Sequence, residues 1–363
     1  MIGVAIIGTG FISEQHIKAY QLFADRCEIL AVCDIFPEKA EEQKITYQLK
    51  NAVVYDDYRQ MLERTDIQLV SVCTPPFTHA QCSIDCMRSG KHVLLEKPMA
   101  ASLEECDEMI KTQKNTGFLL SVVSQNRYTE ENQKLKGLLT SGIAGAVRFG
   151  QVESFWYRGH SYFDLWWRGT WEKEGGGCTL NHAVHQIDLL NWMMGSPKTV
   201  TAFLGNVAHD NAETEDVTTA VFTYENGAIV TLNASLVTHG EGQRIVFQCE
   251  KAGIASPWEV KCSKSTSTGF SERDTIMETI IREAYKDIPQ IAYNGHAGQI
   301  DNILHSLETG EPTTEDSKDG RLALEVITAI YQSAFTGQTV TLPFDRNSPY
   351  YTRDGMLANV MRF

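Results

Sequence analysis

The sequence contains no long apolar run, no CxxC pair and no concentration of basic residues. Without about 18 consecutive apolar residues the chain is not expected to span a membrane, and because Val4 already belongs to an apolar strand we expect no signal peptide. Basic residues number 32 and acidic ones 46, and the net charge of -14 disfavours nucleic acid and anionic membranes as partners. Nine cysteines, an odd set, favour reduced thiols in a soluble cytoplasmic protein over disulfides.

Internal repeats and low-complexity segments are also absent, and 363 residues with 42% hydrophobic content indicate two domains. Through the first third, short apolar runs alternate with helical patterns, which predicts a parallel sheet with helices on both faces. Longer strand patterns from about residue 146 predict a second, mostly antiparallel sheet, interrupted by a helix at roughly 180–194. Two more helical patterns cover 296–308 and 319–335. We therefore predict an α/β protein with domains at 1–122 and 123–345 and a tail at 346–363.

The stretch VAIIGTGFIS, residues 4–13, reads as a strand, a tight turn and a helix start. Gly8 and Gly10 suit a turn where the main chain approaches a pyrophosphate, and the helix N-terminus supplies N–H groups for the anion. The third motif position is Ser13 instead of glycine, so a purely structural turn is the alternative. Asp34 ends the second predicted strand, where its carboxylate can accept hydrogen bonds from ribose hydroxyls and repel a 2′-phosphate. This favours NAD over NADP.

Two further motifs follow predicted strands. TPPFTH, residues 74–79, lies at the carboxyl end of a strand, where open α/β sheets place ligands, although its prolines alone can end a strand. EKP, residues 96–98, follows the strand HVLL, and Pro98 disfavours helical geometry at Lys97. A lysine there can stabilise the alkoxide that develops as a carbinol carbon loses hydride, or relay a proton. A solvated loop lysine is the alternative.

The segment GGGCTLNHAVHQIDLLNWMMG, residues 175–195, carries a polar stripe. If a helix begins after the glycines, Asn181, His185 and Asp188 lie at i, i+4 and i+7 on one face. His185 can take the hydroxyl proton, since imidazole titrates close to neutrality, and Asn181 can orient the imidazole or a substrate hydroxyl. The alternative is a core histidine with Asp188 as an ion-pair partner.

The same segment also contains residues that could bind zinc. Cys178, His182, His185 and Asp188 are all ligand types that zinc accepts. Successive i, i+3 spacings, however, rotate these side chains progressively around the helix. We therefore predict no metal.

Several motifs occur together in this sequence: GxGxxS, Asp34, TPPxxH, EKP, WRG at residues 167–169, and GGG before a helix with His and Asp. This combination resembles the Gfo/Idh/MocA family of oxidoreductases. The resemblance covers essentially residues 1–345. It implies an NAD-binding Rossmann domain followed by an α+β substrate-binding domain with a large open sheet. It also implies a homo-oligomer, dimer or tetramer, formed through that sheet, and NAD(P)-linked oxidation or reduction of a sugar, cyclitol or sugar-derivative hydroxyl.

The resemblance makes Lys97 and His185 catalytic residues, together with Asn181, where many members carry Asp. That substitution removes a carboxylate that would raise the pKa of His185 and favours sugars other than inositol, nucleotide-linked ones included. Residues implied at the cofactor are Gly8, Gly10, Phe11, Ile12, Asp34, Thr74, Pro75, His79, Glu96 and Lys97. Residues expected near the substrate are Arg127, Tyr128, Tyr157, Trp167, Arg168, Asn181 and His182.

We therefore predict an NAD-dependent oxidoreductase that transfers a hydride between a ring hydroxyl and the nicotinamide, with either His185 or Lys97 as the base. The same residues suit a redox-assisted glycosidase, because a 3-keto intermediate acidifies the neighbouring C–H and promotes loss of an aglycone. A third hypothesis is a non-catalytic NAD-binding regulator. The presence of both Lys97 and His185 argues against it.

Overall fold

The computed structural model describes all 363 residues and divides the chain into two compact units. The first unit consists of Met1–Tyr128 and Ala292–Leu324, and the second of Thr129–Ile291 and Glu325–Phe363. The first division falls close to the boundary predicted at residue 122. The second unit is not continuous, however, because residues 292–324 belong with the first.

The first unit is built on a six-stranded parallel sheet in the order β3-β2-β1-β4-β5-β6. This order is the doubly wound arrangement in which ligands bind outside the carboxyl ends of the strands. The near-continuous apolar runs follow from burial on both faces. The strands are β1 (Ile2–Ile7), β2 (Cys27–Cys33), β3 (Val53–Tyr55), β4 (Leu69–Val72), β5 (His92–Leu95) and β6 (Leu120–Val122).

Helices with defined ends cover this sheet. Ser102 accepts a hydrogen bond from the Glu105 N–H as a helix N-cap, and Gly90 with φ +80° follows the helix before β5. These helices are α1 (Ser13–Gln21), α2 (Pro37–Thr46), α3 (Tyr58–Leu62), α4 (His79–Arg88) and α5 (Leu103–Thr116).

The returning segment brings one more helix into the first unit. That helix is α10 (Gly295–Thr309), which packs on α1. Ile300, Ile303 and Leu304 join Ile17 in a core cluster, and burying each such side chain contributes about 1.5–3 kcal/mol. The long helix α11 (Ser317–Thr336) follows and runs across the division at residue 324. The predicted helices at 296–308 and 319–335 are confirmed.

The second unit contains an eight-stranded mixed sheet in the order β13-β12-β11-β7-β10-β9-β8-β16. Only β7 and β10 pair in parallel, so the predicted mostly antiparallel sheet is confirmed. The strands are β7 (Val147–Tyr157), β8 (Thr199–Gly205), β9 (Val217–Thr223), β10 (Ile229–Ser235), β11 (Val237–Cys249), β12 (Gly253–Ser256), β13 (Glu259–Lys261) and β16 (Val340–Thr341). A separate hairpin joins β14 (Ser263–Ser265) to β15 (Ser271–Arg273).

The remaining helices of the second unit are α6 (Glu130–Ser141), α7 (Cys178–Asn181), α8 (Val184–Met194), α9 (Thr275–Asp287) and α12 (Arg353–Asn359). The single helix predicted at 180–194 is wrong in one respect, because the chain interrupts it between α7 and α8. The tail is ordered within this unit: Tyr350 and Tyr351 are buried, and the N–H of Phe363 donates to the Glu213 carbonyl.

Two expectations from composition can be compared with the structure. No helix has both the length and the apolar character needed to cross a membrane. All nine cysteines are free, and eight of them are buried.

Candidate active site and family

The Gly8–Gly10 turn follows β1 at the carboxyl edge of the first sheet. Gly8 has φ +91°, and a Cβ there would lie 2.6 Å from the Cys73 carbonyl oxygen. Both the backbone conformation and the lack of space therefore exclude a side chain. A Cβ at Gly10, in contrast, would meet no atom within 4 Å, which leaves that part of the turn open to a ligand. Ser13, at the third motif position, donates from its hydroxyl to the Gly10 carbonyl and so holds the turn closed.

The two residues after Gly10 differ in exposure. Phe11 is 81% exposed, whereas Ile12 is half-buried and directly precedes α1. Asp34 follows β2 at the same edge. One of its oxygens accepts from the N–H (2.8 Å) and hydroxyl (2.7 Å) of Thr9, and the other accepts from the Phe36 N–H (3.0 Å). The carboxylate is therefore fixed in place with lone pairs to spare for ribose hydroxyls.

The TPPFTH motif forms a turn that its own side chains close. Thr78 donates to the hydroxyl of Thr74 and to the carbonyl of Pro75. His79 is fully buried, and its two ring nitrogens lie 2.7 Å from the carbonyl oxygens of Thr74 and Pro98. His79 thus joins this turn to the EKP segment, and its place at the cofactor stays a prediction.

The EKP segment follows β5 directly. Glu96 is buried, and one of its oxygens accepts from the main-chain N–H of Lys97 at 3.2 Å. Lys97 is half-buried and the Lys97–Pro98 bond is cis. Because β1, β2, β4 and β5 run parallel, Gly10, Asp34, the TPP turn and Lys97 all follow strand ends at one edge of the sheet.

In the second unit, the three glycines before α7 pack against a buried carboxylate. The oxygens of Glu215 accept from the N–H groups of Gly177 and Thr179, both at 3.0 Å, and from the hydroxyl of Tyr331 at 3.1 Å. Burial raises the pKa of Glu215, and the two N–H donors oppose that rise. A Cβ at Gly177 would lie 1.9 Å from the Glu215 carbonyl oxygen, so only glycine fits.

Asn181 ends α7, and its amide donates to the carbonyls of Gly176 at 2.8 Å and Gly177 at 3.3 Å. His185 is the second residue of α8 and is half-buried, with Asp188 buried one turn later. His182 lies in the break between the helices, and its ring packs against those of Trp156 and Tyr162. The polar stripe therefore extends over two helices.

The WRG segment forms a compact cluster in the second unit. The guanidinium of Arg168 lies over the rings of Tyr162 at 4.0 Å and Trp167 at 4.4 Å. It also pairs with the buried carboxylate of Glu174 at 3.2 Å. Tyr157 is 52% exposed and stacks on the ring of His239.

Arg127 and Tyr128, both expected near the substrate, are buried in the first unit. Arg127 is 1% exposed and pairs with Asp319 at 3.2 Å, and the Tyr128 hydroxyl donates to Glu315 at 2.6 Å. These contacts stabilise the fold whether or not either residue meets a substrate. The substrate roles of Arg127, Tyr128, Tyr157, Trp167, Arg168 and His182 remain predictions.

A group that sequence alone did not single out surrounds Glu96. His16, Glu96 and His296 place a ligand-type atom each within 4.8 Å of one another. The Nε2 of His16 lies 2.9 Å from a Glu96 oxygen, and the Nε2 of His296 lies 3.6 Å from the same oxygen. Although burial opposes it, these two rings hold the pKa of Glu96 well below its usual range. His16 at a helix face and His296 far along the chain gave no sequence signal.

Family models match both parts of the chain. The oxidoreductase family with an NAD-binding Rossmann fold matches residues 2–124, and the GFO/IDH/MocA C-terminal domain matches residues 132–255. D-glucoside 3-dehydrogenase of Escherichia coli is 26% identical over 358 residues, covering 93% of this chain and 97% of the relative.

Two solved structures are similar over nearly the whole chain. WlbA dehydrogenase from Bordetella pertussis, in complex with NADH and UDP-GlcNAcA, has a TM-score of 0.81 and 29% identity, with coverage of 95% of this chain and 98% of that one. The Chromobacterium violaceum WlbA complex with the same two molecules has a TM-score of 0.82 and 30% identity, covering 95% and 96%.

These similarities agree with the geometry of the first unit, where an open glycine turn and a fixed aspartate stand at the carboxyl edge of a doubly wound sheet. The predicted fold class and the NAD cofactor are confirmed. The chain belongs to the Gfo/Idh/MocA family of NAD-binding oxidoreductases.

Proposed function

We propose that this protein is an NAD-dependent dehydrogenase that oxidises a ring hydroxyl of a sugar or sugar derivative. One observation carries the proposal: Lys97 follows β5 at the sheet edge that also presents the Gly8–Gly10 turn and Asp34. That edge is the cofactor edge of a doubly wound sheet, so a lysine there is near the reacting end of a dinucleotide.

The residues present fit NAD. The open space at Gly10 admits a pyrophosphate, the positive end of the α1 dipole follows at Ser13, and Asp34 is oriented for ribose hydroxyls. The negative charge of Asp34 repels a 2′-phosphate, which favours NAD over NADP. When bound, NAD supplies the hydride acceptor.

The chain's own residues handle the proton and the charge. As the hydroxyl loses its proton, an oxygen with alkoxide character develops, and the ammonium of Lys97 stabilises it electrostatically. The imidazole of His185 or the amine of Lys97 takes the proton. Asn181, whose amide hydrogens are directed at glycine carbonyls, keeps the start of the helical segment fixed before His185.

We propose a sugar instead of a free cyclitol as the substrate class. D-glucoside 3-dehydrogenase is a relative over 93% of this chain, and the two similar WlbA structures contain UDP-GlcNAcA. Asn181, where many members of the family carry Asp, points the same way.

The test incubates purified protein with NAD and methyl α-D-glucoside, UDP-GlcNAcA or myo-inositol, and follows NADH at 340 nm. We expect oxidation of one of the two sugars. Lys97→Ala and His185→Ala should each lower kcat by about 10²–10⁴-fold, the usual contribution of acid–base groups, with NAD affinity nearly intact. Lys111→Ala, an exposed lysine of α5, is the control and should match the wild type.

Other outcomes identify the rival functions. Release of methanol from the glucoside without accumulation of NADH would indicate the redox-assisted glycosidase. Binding of NAD with no turnover on any compound, together with wild-type behaviour of both variants, would leave the NAD-binding regulator. The pH profiles of kcat/KM for the two variants distinguish which residue is the base.

The open face of the large sheet supports an oligomer. Phe149, Phe203, Val221 and Ile229 are exposed on neighbouring strands of that face, and Phe203 is 75% exposed. Contiguous exposed apolar side chains mark interaction surfaces. We propose that this face joins two copies of the chain. We also propose a cytoplasmic location, which is supported by the absence of disulfides among the nine cysteines.

A further inference from the structure

We infer that three buried or half-buried histidines of the first unit, His16, His79 and His296, position Lys97 by holding the residues on both sides of it. We call these three residues the histidine clamp. His16 hydrogen-bonds Glu96, which precedes Lys97, and His296 lies 3.6 Å from the same carboxylate oxygen. His79 lies 2.7 Å from the carbonyl oxygen of Pro98, which follows Lys97. The inference rests on the proposed function of Lys97.

The His16 side of the clamp is a chain of hydrogen bonds with a fixed direction. The hydroxyl of Tyr20 lies 2.8 Å from Ser71, and Ser71 lies 3.1 Å from Nδ1 of His16. A carboxylate only accepts, so Nε2 of His16 donates to Glu96, Nδ1 accepts from Ser71, and Ser71 accepts from Tyr20. Every member is satisfied with a neutral imidazole, which fixes the orientation of the buried carboxylate.

The two oxygens of Glu96 have different partners. One faces His16 and His296, and the other accepts from the main-chain N–H of Lys97. If the carboxylate were displaced, the main-chain N–H of Lys97 would lose its acceptor. The backbone that carries the Lys97 side chain would then be held less firmly. The side chain of His296 is 16% exposed, so the ring closes the carboxylate off from solvent without being part of the core.

The His79 side of the clamp acts on the main chain itself. Both ring nitrogens lie 2.7 Å from carbonyl oxygens, and a carbonyl cannot donate, so each contact requires an N–H on the ring. Burial lowers the pKa of His79, although the two carbonyls and the charge of Glu96 oppose that fall, so the neutral ring donates to one of the two carbonyls at a time. His79 thereby ties Pro98 to the TPP turn.

The first test measures the clamp without turnover, by hydrogen exchange of amides in the apoprotein and in the NAD complex. His16→Leu should speed exchange in a peptide covering residues 96–100 by about tenfold or more, because the Lys97 N–H loses its acceptor geometry. His16→Gln retains a donor toward Glu96 and should restore most of the protection. His305→Leu, an exposed histidine of α10, is the control.

The second test measures kinetics with the sugar that the wild-type enzyme oxidises. Misplacing a catalytic group by about 1 Å costs up to about 100-fold, so His16→Leu and His79→Leu should lower kcat by 10–100-fold. KM and NAD affinity should change by less than about threefold. In the Lys97→Ala background neither substitution should lower kcat further, because the group that the clamp positions is absent.

Each failure has a distinct meaning. Unchanged exchange at residues 96–100, or an additive loss of kcat in the Lys97→Ala background, overturns the clamp. If Lys97→Ala is fully active, the proposed function fails while the exchange result still tests the clamp. Stoichiometric zinc in the purified protein that is lost in His296→Leu would show that these side chains ligate a cation, and would also overturn the inference.

Discussion

At the scale of single residues, the structure gives several predicted side chains a partner within the protein. The two ring nitrogens of His79 each lie 2.7 Å from a main-chain carbonyl oxygen, and Arg127 and Tyr128 are buried against acidic residues. Sequence identified these positions from motifs but not their contacts, because the partners of Arg127 and Tyr128 lie near residue 315. A buried charge requires such a partner, and only folding supplies it.

The pH dependence of stability follows from His16. The ring faces Glu96, His296 and, through Ser71, Tyr20, and burial lowers the pKa of His16 despite Glu96. A histidine whose pKa is lowered on folding contributes fully to the stability of the folded protein above the pKa that it has in the unfolded chain, about 6.5. That contribution is lost as the pH falls below this pKa. The pKa of Glu96 is lowered in the folded protein, so Glu96 adds a further loss of stability below about pH 4.5.

We therefore expect the Tm of the wild type to fall more between pH 7.5 and 5.5 than that of His16→Gln, which cannot titrate. A pKa shift of one is worth about 1.4 kcal/mol, which corresponds to about 3–6 °C in Tm for a domain of this size. Scanning fluorimetry at both pH values measures the difference, and His305→Gln should behave like the wild type. Equal falls in wild type and His16→Gln would contradict the assignment.

At the scale of elements, the helical segment after the three glycines departs most from expectation. The N–H of Ala183 bonds the Cys178 carbonyl five residues back, so the chain widens by one residue between α7 and α8. Such an insertion rotates the following residues by about 100°, and the i, i+4 relation of Asn181 to His185 no longer puts them on one straight face. Local periodicity alone does not reveal this break.

The glycine turn before α7 yields an element-scale prediction. Gly177→Ala must displace either the turn or the Glu215 main chain, since the new Cβ would lie 1.9 Å from that carbonyl oxygen. We expect a loss of about 1–3 kcal/mol in the free energy of unfolding and a fall in kcat through the displaced helix. Denaturant melts and kinetics measure both. Gly159→Ala, where nothing lies within 4 Å of the added Cβ, should change neither.

At the scale of the whole molecule, the chain's return at residues 292–324 completes the first unit. It supplies α10, which packs on α1 and carries His296. A division of the sequence into consecutive domains does not anticipate this return, because the helical pattern of α10 does not identify the core it joins. The strands of the large sheet alternate buried and exposed residues, and this alternation likewise does not identify what covers the exposed face.

That face gives the whole-molecule prediction. Phe203→Glu places a charge at the most exposed aromatic of the face and should convert the proposed dimer or tetramer into smaller species, because burying an unpaired charge is costly. Light scattering coupled to size-exclusion chromatography measures the mass. Phe270→Glu, an equally exposed phenylalanine outside that face, should keep the wild-type mass. A wild-type protein that is already a monomer would refute the interface.

The sequence by itself determined the family, the parallel sheet and the strand-end positions of Gly8, Gly10, Asp34 and Lys97, because local apolar runs and turn chemistry are written in consecutive residues. Tertiary structure decided what holds these positions. His16, Glu96 and half-buried His296 come together from distant segments, as do Glu215 and Tyr331, and hydrogen bonds join His16 to Glu96 and Tyr331 to Glu215. Such contacts depend on how the segments pack, and no spacing along the chain encodes them.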